Sequence, residues 1–312
     1  MINRRNFLKS ASLLTLGGLV AGKAEASYAA APSVSETMAK KSFGLQIYSL
    51  GGELTKDVPE GMKKLKKMGY STLELAGYRD GKINGIDMME YKRMVDDAGL
   101  KITSSHVNPP TGEYTAETRS KIMDFWKKTA DDHAKLGVKY LVQPGQPRTR
   151  SVEEVEYVCD VFNEAGKVIK EVAGIPFGYH NHDFEFAKVL PGGKEAVFGR
   201  HNKGEKVYDL FIKNTDPDSV FFEMDVYWTV IGQNDPVEYM KTYPNRFKLL
   251  HIKDRAVLGQ SGYMNFEAIF NQAYKIGVQE FYVELEGMPK GHTQFEGVEG
   301  CAEYLKKAKF VK

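Results

Sequence analysis

Cysteine is nearly missing from this chain. Its 312 residues hold two, Cys159 and Cys301, both inside helix-like segments, which excludes a disulfide framework as the basis of the fold. A charge excess of one sign is missing too. The whole chain carries +2; setting aside residues 1–26, which hold Arg4, Arg5, Lys9, Lys23 and Glu25, leaves 39 basic and 40 acidic side chains, or −1. A near-neutral chain lacks the basic footprint of a general nucleic-acid binder, so no nucleic-acid partner is expected. Beyond the N-terminal segment no apolar run approaches the length of a membrane span, and no stable membrane insertion is expected after that segment is removed. No Gly-rich dinucleotide fingerprint follows the first predicted strand, which counts against an open doubly wound sheet.

What is present begins at the N-terminus. Asn3-Arg4-Arg5-Asn6-Phe7-Leu8-Lys9 is a twin-arginine segment, followed by an apolar stretch from Ala11 to Ala21 and a small-residue cleavage site, Ala24-Glu25-Ala26. Residues 1–26 read as a twin-arginine signal peptide and 27–41 as a small, polar linker. No Cys follows the apolar stretch, so no lipid anchor is expected there. Such signals export proteins already folded, often around a cofactor, so the expected location is the periplasm and a metal would be loaded before export.

From residue 42 to 312 short apolar runs alternate with amphipathic stretches. Strands are predicted at 43–48, 71–76, 101–106, 139–144, 175–180, 219–225, 247–252 and 280–285. Helices are predicted between them, among others over 58–68, 91–98, 122–136 and 152–172, where apolar residues recur every three to four positions. Gly69, Gly99, Gly137, Gly174 and Gly277 each stand just before a predicted strand, the place of a helix C-cap in a βα unit. Eight such units in about 270 residues match a single α/β domain, a (β/α)8 TIM barrel. Residues 188–206, rich in Gly and Lys, form an insertion expected to make a loop over the active face.

Four of the predicted strands end on residues that bind metals: His180 in GIPFGYHNHDFEF, Asp225 in SVFFEMDVYW, His251 in FKLLHIKD and Glu284 in EFYVELEG. The C-terminal strand ends of a barrel converge on one face, so residues far apart in sequence can share an ion. Two imidazoles and two carboxylates neutralise one divalent cation and suit Mn, Zn, Co or Fe better than Mg or Ca. Residues two apart on a strand share a side, which places His182, Tyr227, Lys253 and Glu286 nearer the rim than the four ligands. There Lys253 can polarise or protonate an oxygen and Glu286 or His182 can move a proton, or Lys253 and Glu286 form an ion pair. The earlier strands supply Gln46, Tyr48, Glu74, His106 and Gln143 at equivalent places, with Arg148 beyond. A rim of this chemistry suits a polyhydroxylated ligand.

Tyr-His-Asn-His at 179–182, Met-Asp-Val-Tyr-Trp at 224–228, His-Ile-Lys-Asp at 251–254 and Val-Glu-Leu-Glu at 283–286 give the chain a resemblance, over about 42–308, to the xylose isomerase-like barrel superfamily. That group contains sugar phosphate isomerases and epimerases, inosose dehydratases, ketose 3-epimerases and endonuclease IV-type enzymes. In its epimerase branch the resemblance implies a metal held by Glu, Asp, His and Glu from strands five to eight, with the two glutamates also exchanging the substrate proton. Asp225, His251 and Glu284 match. His180 departs, standing where those epimerases have Glu, and Trp228 stands where several relatives carry a substrate-contacting His. The Tyr-His-x-His pattern is more similar to dehydratase-type members, with elimination on 3-keto sugars and glycosides.

The reading that follows is a divalent-metal-dependent isomerase, epimerase or carbon–oxygen lyase acting on a carbohydrate, a keto sugar or 3-keto glycoside, through proton abstraction beside a carbonyl and an enediolate. Glu286, His182 or Glu284 is the base; Lys253 or His106 is the acid. Two alternatives are an endonuclease IV-like phosphodiesterase and a sugar-binding barrel without catalysis. The partner is a small carbohydrate, and a dimer is compatible with the sequence.

Overall fold

The computed structural model of the chain describes residues 41–190, the backbone of 194–197, 203–278 and 280–312. The expected signal peptide, 1–26, and all of the expected linker except residue 41 lie outside the described residues. Eight parallel strands close a barrel: β1 Gly44–Gln46, β2 Thr72–Leu75, β3 Lys101–His106, β4 Tyr140–Gln143, β5 Phe177–His180, β6 Val220–Asp225, β7 Phe247–Lys253 and β8 Glu280–Glu284. Each strand pairs with its sequence neighbours, and β1 also pairs with β8 through Gly44–Tyr282 and Leu45–Val283. That last pairing removes the sheet edges and fixes the barrel over the open-sheet alternative.

The helices form where apolar spacing and caps agree. In Val58–Met68 the side chains of Val58, Met62 and Leu65 are buried, Asp57 accepts from the Glu60 N–H as N-cap, and Gly69 ends the helix at φ 106°. Only Gly takes that left-handed conformation without a Cβ clash. Two helices start earlier than predicted, at Met88 and Ala116, where the side chains of Asp87 and Thr115 cap their first turns; the turn after Thr115 is polar and carries no hydrophobic signal. β1 is shorter than predicted: the Gln46 side chain accepts from the Tyr48 N–H and turns the chain into a 3-10 helix, Ile47–Leu50.

The insertion is not a plain loop. Lys188–Leu190, Lys194–Val197 and Glu205–Lys206 form a three-stranded antiparallel sheet, and Lys206 Nζ holds Asn234 Oδ1 at 2.5 Å.

Strand alternation divides the side chains into two layers. Leu73, Phe177, Tyr179, Phe222, Leu250, Ile252 and Val283 join the core under the helices. Val142, Phe221, Leu249 and Tyr282 form a separate apolar cluster with Tyr140, which plugs the barrel interior toward the N-terminal strand ends. Above that plug the interior turns polar.

Candidate metal centre

The last inward positions of β5 to β8 are His180, Asp225, His251 with Lys253, and Glu284. One potential ligand atom from each of His180, Asp225, His251 and Glu284 lies within 4.8 Å of the other three, and all four residues are buried. His180 Nε2 faces His251 Nδ1 at 3.1 Å, His251 Nδ1 lies 3.3 Å from Glu284 Oε2, and His180 Nε2 lies 3.6 Å from Asp225 Oδ2. Ligand atoms about 2.1 Å from a tetrahedral ion stand about 3.4 Å apart, so the spacing fits one transition-metal ion.

Asp225 is held in place through its backbone and one carboxylate oxygen. Its N–H donates to Asn181 Oδ1, its Oδ1 accepts from the Trp228 N–H at 2.8 Å, and Thr229 donates to its carbonyl. One carboxylate oxygen is thus spent capping the short helix Val226–Ile231, while Oδ2 is buried without a hydrogen-bond partner among the described residues. Oδ2 faces His180 Nε2 at 3.6 Å and the Lys253 ammonium at 3.8 Å, both beyond hydrogen-bond length, which leaves it turned toward the point where a cation would sit. Burial pushes the Asp225 carboxyl up to about 7, partly offset by Lys253. Glu284 shows the opposite balance: burial raises its pKa, but His251 and Lys253 outweigh it and hold it well below the usual carboxylate range.

Beneath the ring lies a second polar layer that the sequence reading had placed at the rim. Gln46 and Glu74 are fully buried. Gln46 Nε2 donates to Glu74 Oε2 at 2.8 Å, Ser104 donates to Glu74 Oε1 at 2.6 Å, and His251 Nε2 meets Glu74 Oε2 at 2.5 Å. His106 is also drawn inward: its Nε2 is 2.7 Å from Glu223 Oε2 and 3.2 Å from Glu74 Oε2. Burial lowers the His106 pKa, but Glu74 and Glu223 outweigh it and the net shift is upward. These three residues therefore support the ring from below rather than lining its mouth.

Above the ring, Lys253 is buried and pairs with Glu284 at 3.1 Å and Glu286 at 2.5 Å, with its Nζ 4.4 Å from the Trp228 ring centroid. The cross-strand ion pair is thus present. Glu286 remains 40% exposed. His182 stacks on Phe184 with centroids 5.4 Å apart and stands 6.1 Å from Trp228. Its turn is held by Glu185, which accepts from the His182 N–H and from the Tyr179 hydroxyl. Burial lowers the His182 pKa to about 4, leaving a neutral imidazole. Tyr48 is 62% exposed and Tyr227 half-buried.

Two expected rim residues are not brought to the ring. Val142 belongs to the interior plug, so its neighbour Gln143 faces outward, where Nε2 donates to Tyr114 Oη at 2.7 Å. Arg148 lines a cavity of about 690 Å³ with Tyr114 and Tyr157, between the loops after β3 and β4.

The family described as xylose isomerase-like TIM barrel matches residues 62–307. The chain belongs to that family. Two proteins of Parabacteroides distasonis ATCC 8503, both described as sugar phosphate isomerase/epimerase, are 55% and 53% identical to it. They match 87% and 90% of this chain and 100% and 98% of their own, with TM-scores of 0.83 and 0.82. An L-ribulose 3-epimerase shares the fold at 13% identity and a TM-score of 0.65, over 85% of this chain and 93% of its own. No curated protein matches the chain in sequence.

In this xylose isomerase-like barrel two residues of the polar interior escaped the sequence reading. Glu223, fully buried, bonds His106 and lies 3.3 Å from His251 Nε2. The signal was available, because Glu223 stands two residues before Asp225 on one strand and so faces the same side. Asn181 is the other. Nothing in its type distinguishes it, since its role is to bridge the backbones of β5 and β6.

Proposed function

We propose that this chain is a divalent-metal-dependent enzyme acting on a carbohydrate, removing a proton beside a carbonyl of a keto sugar or 3-keto glycoside. The observation that carries the reading is the convergence of His180, Asp225, His251 and Glu284 on one point at the mouth of the barrel. The sugar phosphate isomerase/epimerase descriptions of the two Parabacteroides relatives support a carbohydrate as the substrate class. A bound divalent cation would supply positive charge to a carbonyl and an adjacent hydroxyl, acidify the neighbouring C–H and stabilise the enediolate.

The chain's own groups divide the remaining work. Glu284 is a poor base, because its pKa is held low, and a good ligand for the same reason. Glu286 is the exposed carboxylate beside it and takes the proton. Lys253, whose pKa is lowered by burial but raised more by Asp225 and Glu284, stays protonated and donates to the departing or developing oxygen. Trp228 and His182 present flat faces for a sugar ring. The His at position 180 leaves no second carboxylate on the β5 side of the ring, which favours one-base outcomes, isomerisation or elimination of a β-substituent, over two-base epimerisation. Export through the twin-arginine segment, part of the same reading, favours an unphosphorylated substrate in the periplasm.

The test is incubation of metal-replete protein with a panel of keto sugars and 3-keto glycosides, with products resolved by NMR. An isomerised or eliminated product that Asp225→Ala fails to form supports the reading. Binding of sugars without product, unchanged by EDTA, supports the non-catalytic barrel instead.

A further inference from the structure

We infer that Glu74 is a positioning residue: it clamps Nε2 of His251 so that this imidazole meets the divalent cation through Nδ1, and it makes the deeper polar layer a support rather than a second ion site. This rests on the metal-binding reading of the ring.

The His251 ring separates two environments. Its Nδ1 lies 3.1 Å from His180 Nε2 and 3.3 Å from Glu284 Oε2; its Nε2 lies 2.5 Å from Glu74 Oε2 and 3.3 Å from Glu223 Oε2. A ring nitrogen that donates to a carboxylate leaves its lone pair on the other nitrogen, which is how outer carboxylates orient imidazole ligands and fix their tautomer. Glu74 is itself immobilised, by Gln46 on Oε2 and Ser104 on Oε1. His106 stacks on His251 with centroids 4.9 Å apart and planes 14° from parallel, which fixes the ring plane.

Ligand spacing alone leaves a rival. His106, His180, Glu223 and His251 also form a group with ligand atoms within 4.8 Å of one another, and it shares two imidazoles with the ring. The hydrogen bonds separate the two. In the deeper group His106 Nε2 meets Glu223 Oε2 at 2.7 Å, although Glu223 Oε1 has no partner among the described residues, and an ion there would draw His251 Nε2 from its 2.5 Å contact with Glu74, weakening the shortest bond to a fully buried carboxylate. In the ring, Asp225 Oδ2 has no competing hydrogen bond among the described residues.

The experiment uses the full chain, stripped with chelator and titrated with Co²⁺ alone, reading affinity by calorimetry and ligand geometry by the visible absorption bands. Glu74→Gln keeps an acceptor of the same shape but drops the charge, and is expected to bind Co²⁺ about 10-fold more weakly; Glu74→Leu, with no acceptor, about 100-fold more weakly with altered bands. An unchanged affinity and spectrum in Glu74→Leu, folded by circular dichroism, overturns the proposal. A second measurement needs no variant: in ¹⁵N-histidine protein loaded with ¹¹³Cd²⁺, the metal coupling should appear on Nδ1 of His251, and coupling on Nε2 overturns it. If Asp225→Ala retains wild-type Co²⁺ affinity while Glu223→Gln loses it, the ion sits in the deeper group and the proposal fails. If no variant or wild-type protein binds Co²⁺, the metal reading itself fails with it.

Discussion

At the scale of single residues, the inner wall of the barrel is a gradient from apolar plug to paired charges to a half-open rim, and each step predicts a different phenotype. Glu286→Gln should lower kcat by roughly 10² to 10⁴, the range of general acid–base catalysis, while metal analysis shows the ion retained. Glu284→Gln should instead lose the ion. Were Glu286→Gln to lose metal and Glu284→Gln keep it, the roles assigned to the two carboxylates would be reversed. The pKa shifts set a pH dependence. Burial raises Asp225 to about 7; for His251 burial lowers the pKa, but Glu223, Glu74 and Glu284 outweigh it and raise it well above its usual value. At neutral pH the metal-free ring therefore holds protons that an ion must expel, so apparent affinity should climb as pH rises through 7. Titrations at several pH values check this; an affinity flat between pH 6 and 8 contradicts it.

At the scale of elements, what could be read from sequence was what side-chain period encodes. β3 falls at 101–106 as expected, and Val58–Met68 matches its predicted helix because its apolar pattern runs to both ends. The strand ends that carry His180, Asp225, His251 and Glu284 to one point were legible in the sequence as well. Gln143 and Glu74 were misplaced because reading a strand end gives no parity: Gln143 falls on the outward phase of β4, and Glu74 ends too deep to reach the rim. The sheet within 188–206 was missed because its short strands lack an apolar alternation. Close packing between elements also gives a prediction opposite to propensity. Gly166 lies in the helix Val152–Ala173, where a Cβ would stand 2.0 Å from the Ser219 carbonyl oxygen on the backbone entering β6. Gly166→Ala should therefore destabilise the fold by about 1–3 kcal/mol, although in an open helix the same change stabilises by about 1 kcal/mol. Thermal melts decide by sign: a raised Tm would show that the helix and β6 can part.

At the scale of the whole molecule, closing β1 on β8 is what makes a shared site from residues more than a hundred positions apart. It brings Glu74 of β2, Glu223 of β6 and His251 of β7 into one network that no local pattern announces. The barrel should respond to its ion as a unit: if the ion binds only the folded chain, metal at 100 times its Kd adds about 2.7 kcal/mol of stability. Tm should rise on metal addition for the wild type and not for Asp225→Ala, and equal shifts in both would place the ion elsewhere. The central claim, that this ring breaks a C–H bond beside a sugar carbonyl, is tested most directly in deuterated water. Metal-replete protein, EDTA-stripped protein and Asp225→Ala are each incubated with the keto-sugar and 3-keto-glycoside panel, and substrate and product are analysed by NMR for deuterium at the carbon next to the carbonyl. The account predicts product formation with cleavage of that C–H only in the metal-replete wild type; product in which that carbon keeps its original hydrogen, or equal product and exchange without metal, would contradict it.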